Sequence, residues 1–177
     1  CADGIAGDDG HIPFPGFKAD RSYRCDVRMD QNLVELITRH EEKEILDIKN
    51  SRKRFETMLG LLASKLELLC QRDRPLDYVV LVLSDELYKK CRVTDYKERD
   101  TGEVHRDLRR AFKVLAMRHQ KATQILLETT TGLLAVTAGG RRKKLDHTSA
   151  IAWNLFTGLY FKVDGLPWSP AGLTPGS

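Results

Sequence analysis

The sequence predicts an α/β fold, a Rossmann-like open parallel sheet flanked by helices. Three observations predict it. Tyr78-Val79-Val80-Leu81-Val82-Leu83 is a continuous apolar run of strand length, rich in valine. Such a run is the mark of a strand buried on both faces. Thr123-Gln124-Ile125-Leu126-Leu127-Glu128 is a second run of the same kind. Around and between them apolar residues recur at helical spacing, so helices alternate with strands and cover the sheet.

The elements follow in chain order. Residues 1–21 are rich in Gly, Asp and Pro and read as a flexible terminus. Asp3, Asp8 and Asp9 with Gly4, Gly7 and Gly10 loosely suggest a calcium loop, but the spacing does not fit an EF-hand. His11 to Phe17 is extended and apolar, and packs onto the domain surface. Gln31 to Asn50 reads as a helix with Leu33, Val34, Leu36 and Ile37 in its stripe. Ser51 caps a stronger helix to Arg72, with Phe55, Met58, Leu59, Leu62, Leu66 and Leu69 at helical spacing, and Asp73-Arg74-Pro75 stops it. Asp85 to Cys91 is a short helix or turn, and Val93 to Gly102 a charged loop. Glu103 to His119 is a helix burying Leu108, Phe112 and Leu115. Leu133 to Val136 is a third short strand, broken by Gly139-Gly140 and the basic run Arg141 to Lys144. Thr148 to Val163 is the last helix, capped by Asp146 or Thr148. This divides the chain into an extended segment, 1–30, an α/β domain with leading helices, 31–166, and the start of a further domain, 167–177. Both ends read as cuts through a longer protein.

Composition bounds the function. Of 177 residues, 41% are hydrophobic and 31% charged, and Lys+Arg 29 against Asp+Glu 25 leaves +4. That balance permits a phosphate or nucleic-acid partner without demanding one. No run of ~18 apolar residues occurs, which excludes a transmembrane helix, no membrane partner is expected, and no signal peptide is visible. Cys1, Cys25, Cys70 and Cys91 form no C-x-x-C pair, and reduced thiols in the cytoplasm are expected. The five histidines show no zinc-ligand spacing with the cysteines. Neither G-x-G-x-x-G nor a P-loop follows a strand, so nucleotide cofactors lack their usual cradle.

Three constellations could carry chemistry. Arg109 and Lys113 are four apart and share a helix face, with His105 one turn earlier. This is either a solvated basic face or a site for a dianionic phosphate, for which guanidinium supplies a fork and ammonium a point charge. Gln124, near the start of its strand, either meets solvent or presents its amide to a ligand. In the last helix Asn154, Gly158 and Lys162 share a face, beside an apolar stripe (Ile151, Leu155, Leu159) and an aromatic flank (Trp153, Phe156, Tyr160). Such a helix is expected to be largely buried. Lys162 then needs an anionic partner, unless it snorkels from the helix end. Gly158 lets another backbone come close.

The segment from Asp146 to Trp168, with Trp153-Asn154 followed by Lys162, Gly165 and Pro167-Trp168, resembles the junction between the MID and PIWI domains of prokaryotic Argonaute proteins. Leu108 to Leu127 looks like the MID element ahead of it, and Phe14-Pro15-Gly16-Phe17 is similar to a motif preceding that domain. The resemblance implies a module that holds the 5′-phosphate of a guide RNA or DNA strand. Matched residue by residue, the phosphate ligands are Arg109, Lys113, Gln124 and Lys162, with Asn154, Thr123 and His105 along the guide backbone. It implies a complementary target strand and an associated effector protein as partners. In some members a Mg²⁺ joins the phosphate. It implies no catalysis by this chain, because slicing in the family belongs to the PIWI domain. Two departures stand out. Arg109 occupies a position that is commonly tyrosine or histidine, and the stretch Thr129 to Leu145 is longer than in many relatives, as a lobe contacting another domain would be. Two other classes compete: an interaction scaffold with a degenerate pocket, and a small phosphotransferase or hydrolase using Ser84 and Asp85 after the first strand, though no nucleophile elbow accompanies them.

Overall fold

The computed structural model describes residues 4–8, 10–17, 23, 25, 27–98, 102–131 and 146–163. The chain forms two compact units, Met29–Lys143, and Cys1–Arg28 together with Lys144–Ser177. The last helix falls in the same unit as the N-terminal segment.

The Met29–Lys143 unit is α/β, a two-stranded parallel sheet flanked by helices. The helix expected over Gln31 to Asn50 is broken. A 3-10 turn, Gln31–Leu33, is capped by Asp30, whose carboxylate accepts from Asn32 N at 2.8 Å. Helix α1, Arg39–Asp47, starts only where Thr38 and Glu41 form a reciprocal capping box. Thr38 Oγ1 accepts from Glu41 N at 3.2 Å and the Glu41 carboxylate accepts from Thr38 N at 2.7 Å. That bond, with Lys65 Nζ 2.9 Å away, holds the Glu41 carboxyl down to about 2.

Helix α2, Ser51–Cys70, is capped by Asn50 rather than Ser51, with Lys53 N donating to Asn50 Oδ1 at 2.9 Å. It buries Phe55, Met58, Leu62, Leu66 and Leu69, spaced by three and four as one helix face requires. Strand β1, Tyr78–Leu83, leads through the Ser84 cap into α3, Asp85–Cys91. The region expected as a charged loop is a hairpin, β2, Val93–Glu98, antiparallel to β3, Gly102–Asp107. Side chains that can pair face each other across it, Asp95 with His105 and Lys97 with Glu103, and Gly102 takes the positive φ of 78° at its turn. Helix α4, Leu108–Arg118, begins at the Asp107 cap, so it is shorter than the helix expected from Glu103. It buries Leu108, Phe112 and Ala116, while Leu115 is half-buried.

Strand β4, Ala122–Leu127, pairs in parallel with β1, with Val80 opposite Gln124 and Leu81 opposite Ile125. Side chains alternate between faces. Val79, Leu83 and Ile125 join α2, α3 and α4 in one apolar core. Val80 and Val82 remain 44% and 39% exposed, so β1 is buried on one face, not on both as expected. Cys70 and Cys91 are free thiols, and burial pushes the Cys91 thiol up to about 11.

The other unit contains α5, Thr148–Lys162, with His147 at the N-cap position where Asp146 or Thr148 was expected. The N-terminal segment runs back on itself through antiparallel bridges pairing Ile5 with Phe14 and Asp8 with His11. Its aromatic residues meet the aromatic flank of α5. Phe14 stacks on Phe156 at 5.4 Å, Phe17 meets Phe156 edge-on at 4.6 Å, and Tyr23 meets Tyr160 at 5.3 Å. Two polar bonds fix the register. Tyr23 Oη lies 2.7 Å from Thr157 Oγ1, and Trp153 Nε1 donates to Pro13 O at 3.2 Å. Among the described residues no helix is long and apolar enough to cross a membrane. The expected strand Leu133 to Val136, the basic run Arg141 to Lys144 and the segment 167–177 lie outside the described residues.

Candidate nucleic-acid interface

Helix α4 turns one stripe to the core and its cations outward. Arg109, Arg110, Lys113 and Arg118 are exposed, as is Arg106 at the end of β3. Arg109 and Lys113 do share a face, which costs a few tenths of a kcal/mol in mutual repulsion. None of these five enters an ion pair with a carboxylate among the described residues. The remaining exposed positions of the helix are apolar, Val114 at 53% and Met117 at 63%. The surface is therefore a mixed one, cations interleaved with alkyl and thioether groups.

His105 does not extend this face. It lies on β3, not on the helix, and its Nδ1 is 2.6 Å from Asp95 Oδ1 across the hairpin. The Asp107 cap ends the strand and starts the helix two residues further on, so His105 is held by the hairpin pair.

Gln124 and Thr123 are half-buried on β4. Alternation puts Thr123 on the core side with Ile125, and Gln124 on the opposite side, with Val80 as its cross-strand neighbour. Gln124 Nε2 donates to Ile125 O at 3.3 Å. The outward cations of α4 and the Gln124 amide thus stand on different faces of this unit; the structure does not bring them together.

Asn154 and Lys162 lie on α5, in the other unit, and both are exposed. Only Ser149 and Ala152 of that helix are buried. The expectation of a largely buried helix is corrected: its aromatic flank packs, while Asn154 and Lys162 are exposed and Gly158 is half-buried. Lys162 needs no compensating anion on grounds of desolvation. A Cβ at Gly158 would meet no atom within 4 Å, so the line is open to approach.

The residues assigned to a phosphate do not by themselves make a Mg²⁺ site. Mg²⁺ takes oxygen ligands in octahedral array, whereas Arg109, Lys113 and Lys162 are cations and Gln124 offers one amide oxygen. Among the described residues one group has the make-up of a metal centre, Asp8, His11 and His147. It joins residues from both ends of the chain, which is why spacing did not reveal it. The hairpin was legible in principle, from the alternation of Thr94 and Tyr96 and the complementary charges on the facing strand. Ser84, the candidate nucleophile, is engaged twice, accepting from Leu87 N at 3.1 Å as the α3 cap and bonding the Glu42 carboxylate. No family model matches the chain, and no curated protein matches it.

Proposed function

We propose that the chain anchors the 5′-phosphorylated end of a guide RNA or DNA strand, as the MID domain of a prokaryotic Argonaute does, with Arg109 and Lys113 taking the phosphate. The observation that carries the reading is the outward face of α4, where cations stand without carboxylate partners among the described residues. Guanidinium and ammonium are the two groups suited to a dianionic terminus. Val114 and Met117 offer apolar surface for the adjoining sugar or base. The held strand would pair with a complementary target, and an associated effector protein would act on the result. No catalytic step is assigned to this chain, and the engagement of Ser84 as a cap supports that.

Each charged hydrogen bond contributes ~1.5–3 kcal/mol, so one lost phosphate contact weakens binding roughly tenfold to a hundredfold. Titration of labelled 5′-phosphate and 5′-hydroxyl oligonucleotides is expected to show a preference of that size, and equal affinities overturn the reading. Lys113→Ala removes most of the preference. Gln124→Ala and Lys162→Ala test the two ligands that the resemblance adds; unchanged preference in both confines the site to α4.

One observation favours a second reading. Gln124 stands on the sheet face away from α4, as it would if the pocket had degenerated and the domain served as an interaction scaffold. A folded protein that binds neither oligonucleotide would favour it.

A further inference from the structure

We infer that Asp8, His11 and His147 form a binding site for a first-row divalent transition metal, zinc above all, that clasps the N-terminal turn to the start of α5. The inference is independent of the α4 surface.

The backbone builds the site. A tight turn joins Asp8 to His11, with His11 N donating to Asp8 O at 3.0 Å. Two glycines make it possible. Gly10 has φ +108°, and a Cβ at Gly7 would lie 2.1 Å from His11 O. The first and last residues of such a turn stand side by side, which brings carboxylate and imidazole together. His147 arrives as the N-cap of α5, and its ring stacks on that of His11 with centroids 4.7 Å apart. His11 Nδ1 is 2.6 Å from Asp8 Oδ1, and His147 Nε2 is 3.5 Å from Asp8 Oδ2. One ligand atom from each of the three lies within 4.8 Å of the others.

Those separations bracket what an ion needs. Zinc at 2.0–2.1 Å from its ligands sets neighbouring ligand atoms about 3.3 Å apart in a tetrahedron. The Asp8–His11 contact opens slightly and the widest separation closes. Two imidazoles and one carboxylate favour zinc and its neighbours over Mg²⁺ or Ca²⁺, which prefer all-oxygen shells. A water completes the four.

His147 also has the supporting contact that metal-bound histidines carry on the far nitrogen. Its Nδ1 is 2.8 Å from Oγ of Ser149, a fully buried residue that fixes the ring. With Nδ1–H donated to Ser149 Oγ, the Nε2 lone pair faces Asp8. The 3.3 Å contact from Ser149 N to Nδ1 is the longer of the two and is given up in that tautomer. The side chains of Asp8, His11 and His147 are 57%, 42% and 27% exposed, so an ion can enter from solvent.

The test is titration of the full chain with zinc chloride by calorimetry, and with cobalt chloride by visible absorption. The expected result is one equivalent bound, a tetrahedral Co²⁺ spectrum without thiolate charge-transfer bands, and a rise in Tm with zinc. Asp8→Asn, His11→Gln and His147→Gln each lower the affinity at least tenfold. Because His147→Gln also alters a helix cap, the Asp8→Asn and His11→Gln variants decide the matter if it fails to fold. No zinc binding by the wild-type chain, thiolate bands in the Co²⁺ spectrum, or wild-type affinity in the Asp8 and His11 variants would overturn the inference.

Discussion

Helices α2 and α4 lie against the same apolar core, yet they treat their charges differently. Of the four cations of α2, Arg52, Arg54 and Lys65 are spoken for, and Lys53 stands exposed. Arg52 donates to Glu56 at 2.9 Å and to Glu98 at 3.3 Å, and sits 4.2 Å from the centre of the Tyr96 ring. Arg54 donates to Ile48 O and Lys90 O, and Lys65 holds Glu41. Beyond the helix, Arg72 pairs with Glu35 and Arg74 with Asp30. The cations of α4 have no such partners among the described residues. The difference separates two uses of basic residues that a net charge of +4 conceals. On α2 they tie elements together. On α4 they add nothing to the packing and repel one another, which suits a surface kept for an anion.

The largest effect tests the common ground. Phe112 on α4 and Leu62 on α2 are each 2% exposed in the same core. Phe112→Ala is expected to cost ~3–5 kcal/mol and Leu62→Ala ~2–5 kcal/mol, read as a fall in the urea midpoint. A cost under ~1 kcal/mol at Phe112 would mean that α4 is not seated as described, and the comparison would break. Next in size is the double variant Arg109→Ala/Lys113→Ala. It should abolish the tenfold-to-hundredfold 5′-phosphate preference, both charged groups being removed, while the urea midpoint stays within ~0.5 kcal/mol of wild type. Loss of stability in place of loss of binding would put α4 in the same class as α2.

The parts legible in the sequence are those where one physical requirement dominates. β1, β4 and the buried stripes of α2 and α4 follow from unbroken apolar periodicity. Arg109 and Lys113 were readable as a pair because helical spacing alone sets their common face. What misled was local competition. The Thr38–Glu41 box delays α1, and Asp107 delays α4, each by satisfying free amide groups at a point the apolar pattern does not mark. That shift moved His105 from a helix to a strand. The meeting of Asp8 and His11 with His147, and of Phe14 with Phe156, depends on long-range contact, which no local pattern encodes.

A smaller effect concerns the capping box and its link to α2. The Glu41 carboxyl lies below its ordinary value of 4.5, at about 2, first through the Thr38 amide and then through Lys65. A carboxyl depressed on folding stabilises the protein above its unfolded pKa. That contribution is lost as pH falls from about 4.5 toward about 2. Glu41→Gln should cost ~0.5–2 kcal/mol at pH 7, as other capping changes do, and should flatten this stretch of the stability–pH curve. An unchanged curve would mean that the box and the Lys65 pair do not hold in solution.

The smallest effect discriminates the two helices most directly. Arg52→Ala removes two carboxylate contacts and a stacked ring, so it should lower Tm slightly. Much of that loss should vanish in ~1 M salt, where the screening length falls to about 3 Å. Arg109→Ala removes only a like-charge neighbour of Lys113, so Tm should hold or rise slightly in low salt. Paired melting curves of the two variants at low and high salt read the contrast without any ligand. If both variants respond alike, the pairing on α2 is no more than incidental, and the exposed cations of α4 lose their distinction.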